Sequence, residues 1–229
     1  MSNQQLTVDK APISGASITT VSKVGEEPVV LRDGYKRVFD LTLILLAHVL
    51  LFPLWILLWI VIPLAIWLGD RGPIFYTQER VGRLGKRFKV VKFRTMIQNA
   101  EARTGPVWAT NDDERVTNVG GLLRKLRLDE MPQVINILMG EMSLVGPRPE
   151  RPFLIEQFSR EVPGFSQRLR VKPGVAGLAQ VRGHYSTSPR YKLKYDKLYI
   201  ETLSPWMDVR LLFLSVWVVL RRIFNRSSN

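Results

Sequence analysis

The chain has 229 residues, enough for one ordinary domain with its own core and too few for two full ones. With 46% hydrophobic and 23% charged residues it should fold, and the absence of cysteine excludes a disulfide framework, a thiol nucleophile and cysteine-ligated zinc. Two histidines, His48 and His184, are too few for most zinc sites, so any metal should be oxygen-bound; a net charge of +13 points to an anionic partner, whether nucleic acid, phospholipid or a phosphorylated substrate.

Residues 1–33 are rich in Ser, Thr, Pro and Gly without periodicity and read as a flexible tail. Residues 41–68 then run for 28 positions without a charged side chain, which marks a membrane segment within a unit spanning 34–70. A straight helix of that length would measure ~42 Å against a hydrocarbon core of ~30 Å. Pro53 divides the run into arms of 12 and 15 residues, each expected to be too short to cross alone. A kinked spanning helix and a re-entrant helix that leaves by the face it entered both fit. The flanks favour re-entrance: Lys36 and Arg37 precede the run, and eight basic residues against one acid, Glu79, occupy 71–94. His48 reads as a hydrogen-bonded interior residue.

Residues 71–229 are expected to form a membrane-associated body on the cytoplasmic side. Short β-type segments at 74–76 and 87–93 around Gly82 and Gly85 predict a hairpin. Helices are expected from about 100 onward and at 122–126, 132–139 and 151–159. Residues 205–224, capped by Ser204, form an amphipathic helix suited either to the membrane interface or to packing on the core. The expected class is therefore α+β, mainly helical.

The chemistry concentrates in 123–150, where adjacent carboxylates Asp129 and Glu130 lie among cations. Pro132 suits the first turn of a helix and would place the pair at its N-terminus. Such a pair can hold Mg²⁺ through oxygen, and one member can act as a nucleophile toward phosphorus. The plain alternative is a helix cap. Arg124 lies nearby, and Pro147 and Pro149 fix the backbone around Arg148, whose guanidinium suits phosphate oxygens. Lys92 and Arg94 close the basic hairpin as candidate phosphate ligands or as lipid-facing charge. The glycines from Gly174 onward permit close backbone approach to a ligand, without the pattern of a P-loop or a dinucleotide fingerprint. Tyr185, Tyr191, Tyr195 and Tyr199 can stack a base, although such spacing on a helix more often serves packing.

Taken in order, the proline-broken membrane segment, Lys92-Phe93-Arg94-Thr95-Met96, Leu128-Asp129-Glu130, the block from Ser143 through Gly146-Pro147-Arg148-Pro149-Glu150, and Val171-Lys172-Pro173-Gly174 with Gly177-Leu178 resemble the bacterial sugar transferase family. Phe52 stands where some members have Ser. The resemblance implies a monotopic protein on the cytoplasmic face of the bacterial inner membrane, with a re-entrant membrane helix, interfacial amphipathic helices and a small catalytic body, in a minimal form. It implies transfer of a sugar 1-phosphate from a UDP-sugar to undecaprenyl phosphate with release of UMP, Mg²⁺ as cofactor and no nucleic acid partner. Asp129 would be the nucleophile that carries a covalent phosphosugar, Glu130 would orient it or share the metal, and Arg124 and Arg148 would bind phosphate. Residues 105–109 favour UDP-glucose or UDP-galactose as donor. Self-association and contact with downstream glycosyltransferases stay open. Two other readings compete: a non-catalytic binder of anionic lipid or nucleic acid, and a polyprenyl diphosphate phosphatase, which passes the phosphoryl group to water.

Overall fold

The computed structural model describes residues 33–100, 113–183 and 188–224. The expected tail, the helix from about 100 onward, the 105–109 motif, His184 and Tyr185 lie wholly or mainly outside these residues.

The membrane segment forms two helices, α1 (Lys36–Leu50) and α2 (Phe52–Gly69), separated at Leu51 by a non-helical backbone (φ −109°, ψ 23°). Pro53 does not interrupt a helix. It occupies the first turn of α2, where an amide donor has no helical partner to lose, and its ring would clash with any continuation of α1. Across the break the His48 and Trp55 rings stack at 4.5 Å, His48 Nδ1 lies 2.7 Å from the Ile44 carbonyl, and Trp55 Nε1 donates to the Ala47 carbonyl. The division also differs in proportion from the one expected. α2 runs 18 residues through an internal Pro63, with mean hydropathy 2.2, and is long and apolar enough to cross a membrane. Leu54, Leu57, Ile60, Leu64 and Leu68 are exposed on it, a surface that water tolerates poorly.

Both distant ends of the pair are fastened to the globular body. At the start of α1, buried Lys36 donates to the Val145 carbonyl at 2.7 Å, to Tyr199 Oη at 2.9 Å and to Asp208 Oδ2 at 2.8 Å. Arg37 donates to the carbonyls of Ile137 and Leu138, and Asp40 accepts from Ser143 Oγ and the Leu144 amide. At the other end, Ile62 and Ile66 bury against Phe93 and Leu123, while Asp70 pairs with Arg94.

The body is mostly helical with two small sheets. An antiparallel hairpin pairs β1 (Phe75–Val81) with β2 (Arg87–Phe93) in a register from Phe75–Phe93 to Val81–Arg87, and its turn uses positive φ at Leu84 and Gly85. β2 has the expected limits; β1 extends well past the expected 74–76. Helices α3 (Asn118–Leu126) and α4 (Gln133–Leu138) follow, then β3 (Ser143–Val145), α5 (Pro152–Glu161), β4 (Gly174–Ala176), α6 (Leu178–Arg182), α7 (Pro189–Glu201) and α8 (Pro205–Phe224). Thr117 caps α3 by accepting from the Gly120 amide, and Ser204 caps α8 through the Met207 amide.

β3 and β4 form a parallel pair, Ser143 beside Gly174 and Val145 beside Ala176. On that pair sits the main core, in which Val145, Leu178, Tyr199, Ile200 and Leu211 join α6, α7 and α8. The tyrosines at four-residue spacing on α7 therefore serve packing at least at Tyr199, which is buried.

Candidate functional site

Asp129 and Glu130 do not begin a helix. α3 closes on Arg127 in the left-handed conformation (φ 57°), and Leu128–Glu130 form a separate 3-10 turn before Pro132 starts the six-residue α4. The interruption at Arg127 turns both carboxylates into the protein, where Asp129 is 9% and Glu130 6% exposed. Side-chain cations, rather than a helix end, supply the field around them.

Glu130 Oε1 receives Lys92 Nζ from β2 at 2.9 Å and Arg148 Nη2 from the loop after β3 at 2.6 Å; Arg127 Nη1 stands 3.7 Å from Oε2. Burial opposes the charge on Glu130, but Arg148 and Lys92 outweigh it and hold the carboxyl well below the usual range. Glu130 in turn raises the Arg148 guanidinium, against burial. Asp129 differs: burial raises its carboxyl above the ordinary value despite Lys92 nearby, and no hydrogen bond to it is found among the described residues. The cations thus hold Glu130 as the anion, whereas burial disfavours the charge on Asp129.

Arg124 on α3 is near Asp129 and donates from Nε to Thr95 Oγ1 at 2.8 Å. Arg94 is turned elsewhere, toward the backbone and carboxylate of Asp70 at the end of α2, where it fastens the membrane helix. The backbones of Gly146 and Gly174 meet directly, the Gly146 amide donating to the Ala176 carbonyl and the Gly174 amide to the Pro147 carbonyl. A Cβ on Gly174 would collide with the Gly146 backbone, so this glycine admits the Pro147-Arg148-Pro149 loop. Gly174→Ala should therefore displace the loop that carries Arg148 and lower Tm by several degrees. A Tm equal to wild type would show that the loop does not depend on the contact.

Charged side chains from α7, the 165–170 turn and β1 brace this loop. Arg168 donates to the Arg148 carbonyl at 2.8 Å and to Asp196 Oδ2 at 2.9 Å, and Lys192 pairs with Glu150 at 2.8 Å. Arg80 donates to the Pro149 carbonyl; burial, with Arg148 beside it, lowers its guanidinium to about 10. Arg168 and Asp196 carry no local pattern that could have flagged them, whereas Glu150 lies within a block already noted.

No cluster of three or more metal-binding side chains exists among the described residues. The pair nevertheless fits a Mg²⁺ ion that brings other ligands with it: Glu130 Oε2 is buried without a hydrogen-bond partner, and the Asp129 carboxylate lies beside it.

A family model described as bacterial sugar transferase matches residues 31–222. An Aeromonas hydrophila protein named UDP-N-acetylgalactosamine-undecaprenyl-phosphate N-acetylgalactosaminephosphotransferase is 41% identical over 77% of this chain and 42% of its own length. A Bacillus subtilis putative undecaprenyl-phosphate N-acetylgalactosaminyl 1-phosphate transferase is 47% identical over 58% of this chain and 72% of its own. A Klebsiella pneumoniae UDP-glucose:undecaprenyl-phosphate glucose-1-phosphate transferase is 39% identical over 80% of this chain and 39% of its own. The chain thus spans about two fifths of the length of the Aeromonas and Klebsiella relatives. Since the match extends from ahead of α1, across the carboxylate pair and its arginines, into the last turn of α8, the chain belongs to the bacterial sugar transferase family.

Proposed function

We propose that the protein transfers a sugar 1-phosphate from a UDP-sugar to undecaprenyl phosphate at the cytoplasmic face of the cell membrane, releasing UMP and starting an exopolysaccharide, capsule or O-antigen. The observation that carries this reading is the unequal pair: Glu130 bound by Lys92 and Arg148, and Asp129 buried beside it with no hydrogen bond among the described residues.

An Asp129 oxygen attacks the sugar-bearing phosphorus, the bond from that phosphorus to the bridging oxygen breaks, and UMP leaves with the electron pair. The phosphosugar is then held as an acyl phosphate on Asp129. An oxygen of undecaprenyl phosphate attacks the same phosphorus, freeing the carboxylate and giving the lipid diphosphosugar. Lys92, Arg124 and Arg148 set a positive field for phosphate oxygens, and Arg148 keeps 36% of its side chain exposed for that contact. When bound, Mg²⁺ would neutralise the donor diphosphate, with Glu130 Oε2 and the Asp129 carboxylate as its protein ligands.

The donor is read no further than a UDP-sugar, because residues 105–109 lie outside the described residues and the relatives' names include both N-acetylgalactosamine and glucose. The test is a panel of UDP-glucose, UDP-galactose and UDP-N-acetylgalactosamine with protein in membranes, scored for UMP with and without undecaprenyl phosphate. Lipid-dependent UMP release is expected with at least one donor; none with any of them would overturn the reading, and release without lipid at an equal rate would indicate hydrolysis. EDTA is expected to stop turnover and Mg²⁺ to restore it, whereas turnover surviving exhaustive chelation would remove the metal from the mechanism.

The reading includes a re-entrant segment. What supports it is that Lys36 at one end and Ile66 and Asp70 at the other grip the same body. Lys36 is itself buried, so the informative positions are Gly34, with open space around it, and exposed Lys86. In this cysteine-free chain, Gly34→Cys and Lys86→Cys should both resist a membrane-impermeant thiol reagent in intact cells and both react after permeabilisation. Labelling of Gly34→Cys alone from outside would mean that the segment spans.

A further inference from the structure

A cavity of about 340 Å³ opens beside the carboxylate pair, between the 3-10 turn, β4, α6 and the last turns of α8. It is the size of a small-molecule site. Its wall has two characters. Arg127 and Glu130 line it, so it is continuous with the charged site, while nearly all the rest is aliphatic, with Val175, Val181, Val216, Val219 and Leu220 prominent. Among the described residues, Gln180 and Ser215 are the only other polar ones in the wall.

A nucleotide sugar, studded with hydroxyls and a base, would leave most of its polar groups unpaired against such a wall. A chain that is apolar along its length and anionic at one end matches both parts. The approach matches as well. Val216 and Leu220 line the cavity and are also 59% and 40% exposed, and next to them Phe213, Trp217 and Phe224 project from α8, one to three turns apart. α3, whose C-terminal Leu126 also lines the cavity, packs against both α2 and α8. An isoprenoid chain could pass from lipid into the cavity over an apolar surface without crossing water.

We propose that this cavity holds the first isoprenoid units of the acceptor lipid phosphate, with α8 as the outer wall and the phosphate brought to the Arg127 side, next to Glu130. The inference rests on the reading of the protein as a transferase to undecaprenyl phosphate and adds where that lipid enters. It separates the two substrates: the donor meets the polar face formed by Arg124, Lys92 and Arg148, and the acceptor arrives along α8.

Val219→Trp narrows the cavity from its α8 wall, at a residue that is neither one of the carboxylates nor one of the cations paired with them. In membranes, donor-only formation of the phosphosugar adduct, read by intact-protein mass, should stay within twofold of wild type. KM for undecaprenyl phosphate should rise at least tenfold. Citronellyl phosphate, a two-unit analogue, should lose less in the variant than undecaprenyl phosphate does if only the first units are held loosely, and should lose equally if they are held closely; the inference demands equal loss. An unchanged lipid KM, or a lost donor adduct with a normal lipid KM, would overturn it. A direct measurement covers the case of a misfolded variant. Wild-type protein irradiated with a photoreactive polyprenyl phosphate, carrying its diazirine in the second isoprenoid unit, should be tagged within 215–220, and tagging confined to α2 would place the chain elsewhere. This cross-link reads lipid placement even if the wild-type protein transfers no sugar, so failure of the site and failure of the transferase reading are separable.

Discussion

Asp129→Asn is expected to abolish transfer, by on the order of 10³-fold or more, while leaving the protein at least as stable as wild type. The amide keeps the shape of the carboxylate but loses its charge and nucleophilicity. Stability follows from burial. The Asp129 carboxyl is raised above its ordinary value, so the folded state binds its proton more tightly than the unfolded chain does, and the ionised form weakens the fold at neutral pH. That penalty is fully present above the raised folded value, shrinks as pH falls through the window down to the ordinary aspartate value, and is absent below it. Asp129→Asn should accordingly raise Tm at pH 7.5, and the difference should fade in acid. Glu130→Gln should do the reverse, losing roughly 3 kcal/mol because Lys92 and Arg148 are left without their shared anion. Wild-type protein given donor alone should gain the mass of a phosphosugar, and Asp129→Asn should not. A variant retaining a tenth of wild-type transfer would remove Asp129 from the chemistry, and a Tm well below wild type would show that its buried charge is structural.

Much of this was legible where physics acts locally. The limits of β2 and α8 follow from alternation in 87–93 and from Ser204 ahead of an apolar run, and the structure places both where the pattern does. The membrane break was legible through Pro53, though its position was not: proline marks where a second helix can begin, and the non-helical residue is Leu51, two positions earlier. Pro63, inside α2, shows that one proline does not always divide an apolar helix. The site was legible as composition and illegible as geometry. Glu130, Lys92 and Arg148 come together with Asp129 beside them, but a left-handed Arg127 separates the carboxylates from α3, and nothing in Leu126-Arg127-Leu128 announces that conformation. The parallel β3–β4 pair was missed because three residues carry no period, and its only trace is a glycine at each point where the two backbones meet. Arg168 was missed because its partners, Asp196, Glu150 and the Arg148 carbonyl, are 18 to 28 residues away.

The farthest contact of this kind should also have the largest effect on stability. Asp208 lies in the first turn of α8, where an acid is unremarkable, yet it is wholly buried and receives Lys36 Nζ at 2.8 Å, Tyr35 Oη at 2.7 Å and Tyr199 Oη at 2.8 Å. Those partners join the base of the membrane segment, α7 and α8 at one point, with the Val145 carbonyl of β3 completing the Lys36 contacts. Asp208→Asn would leave the Lys36 ammonium buried without its counter-charge, at a cost of about 3–5 kcal/mol. At 2–4 °C per kcal/mol for a chain of this size, Tm measured in detergent should fall by roughly 10 °C. Asp208→Leu combined with Lys36→Met removes both charges and should recover most of that loss, because a well-filled apolar site does not need the pair. A single variant within 1 kcal/mol of wild type would mean that water reaches Lys36. The double variant carries the functional consequence: with α8 held by packing alone, its outer turns should drift from β4, so acceptor use should remain impaired in a protein whose stability and donor-only adduct have largely returned.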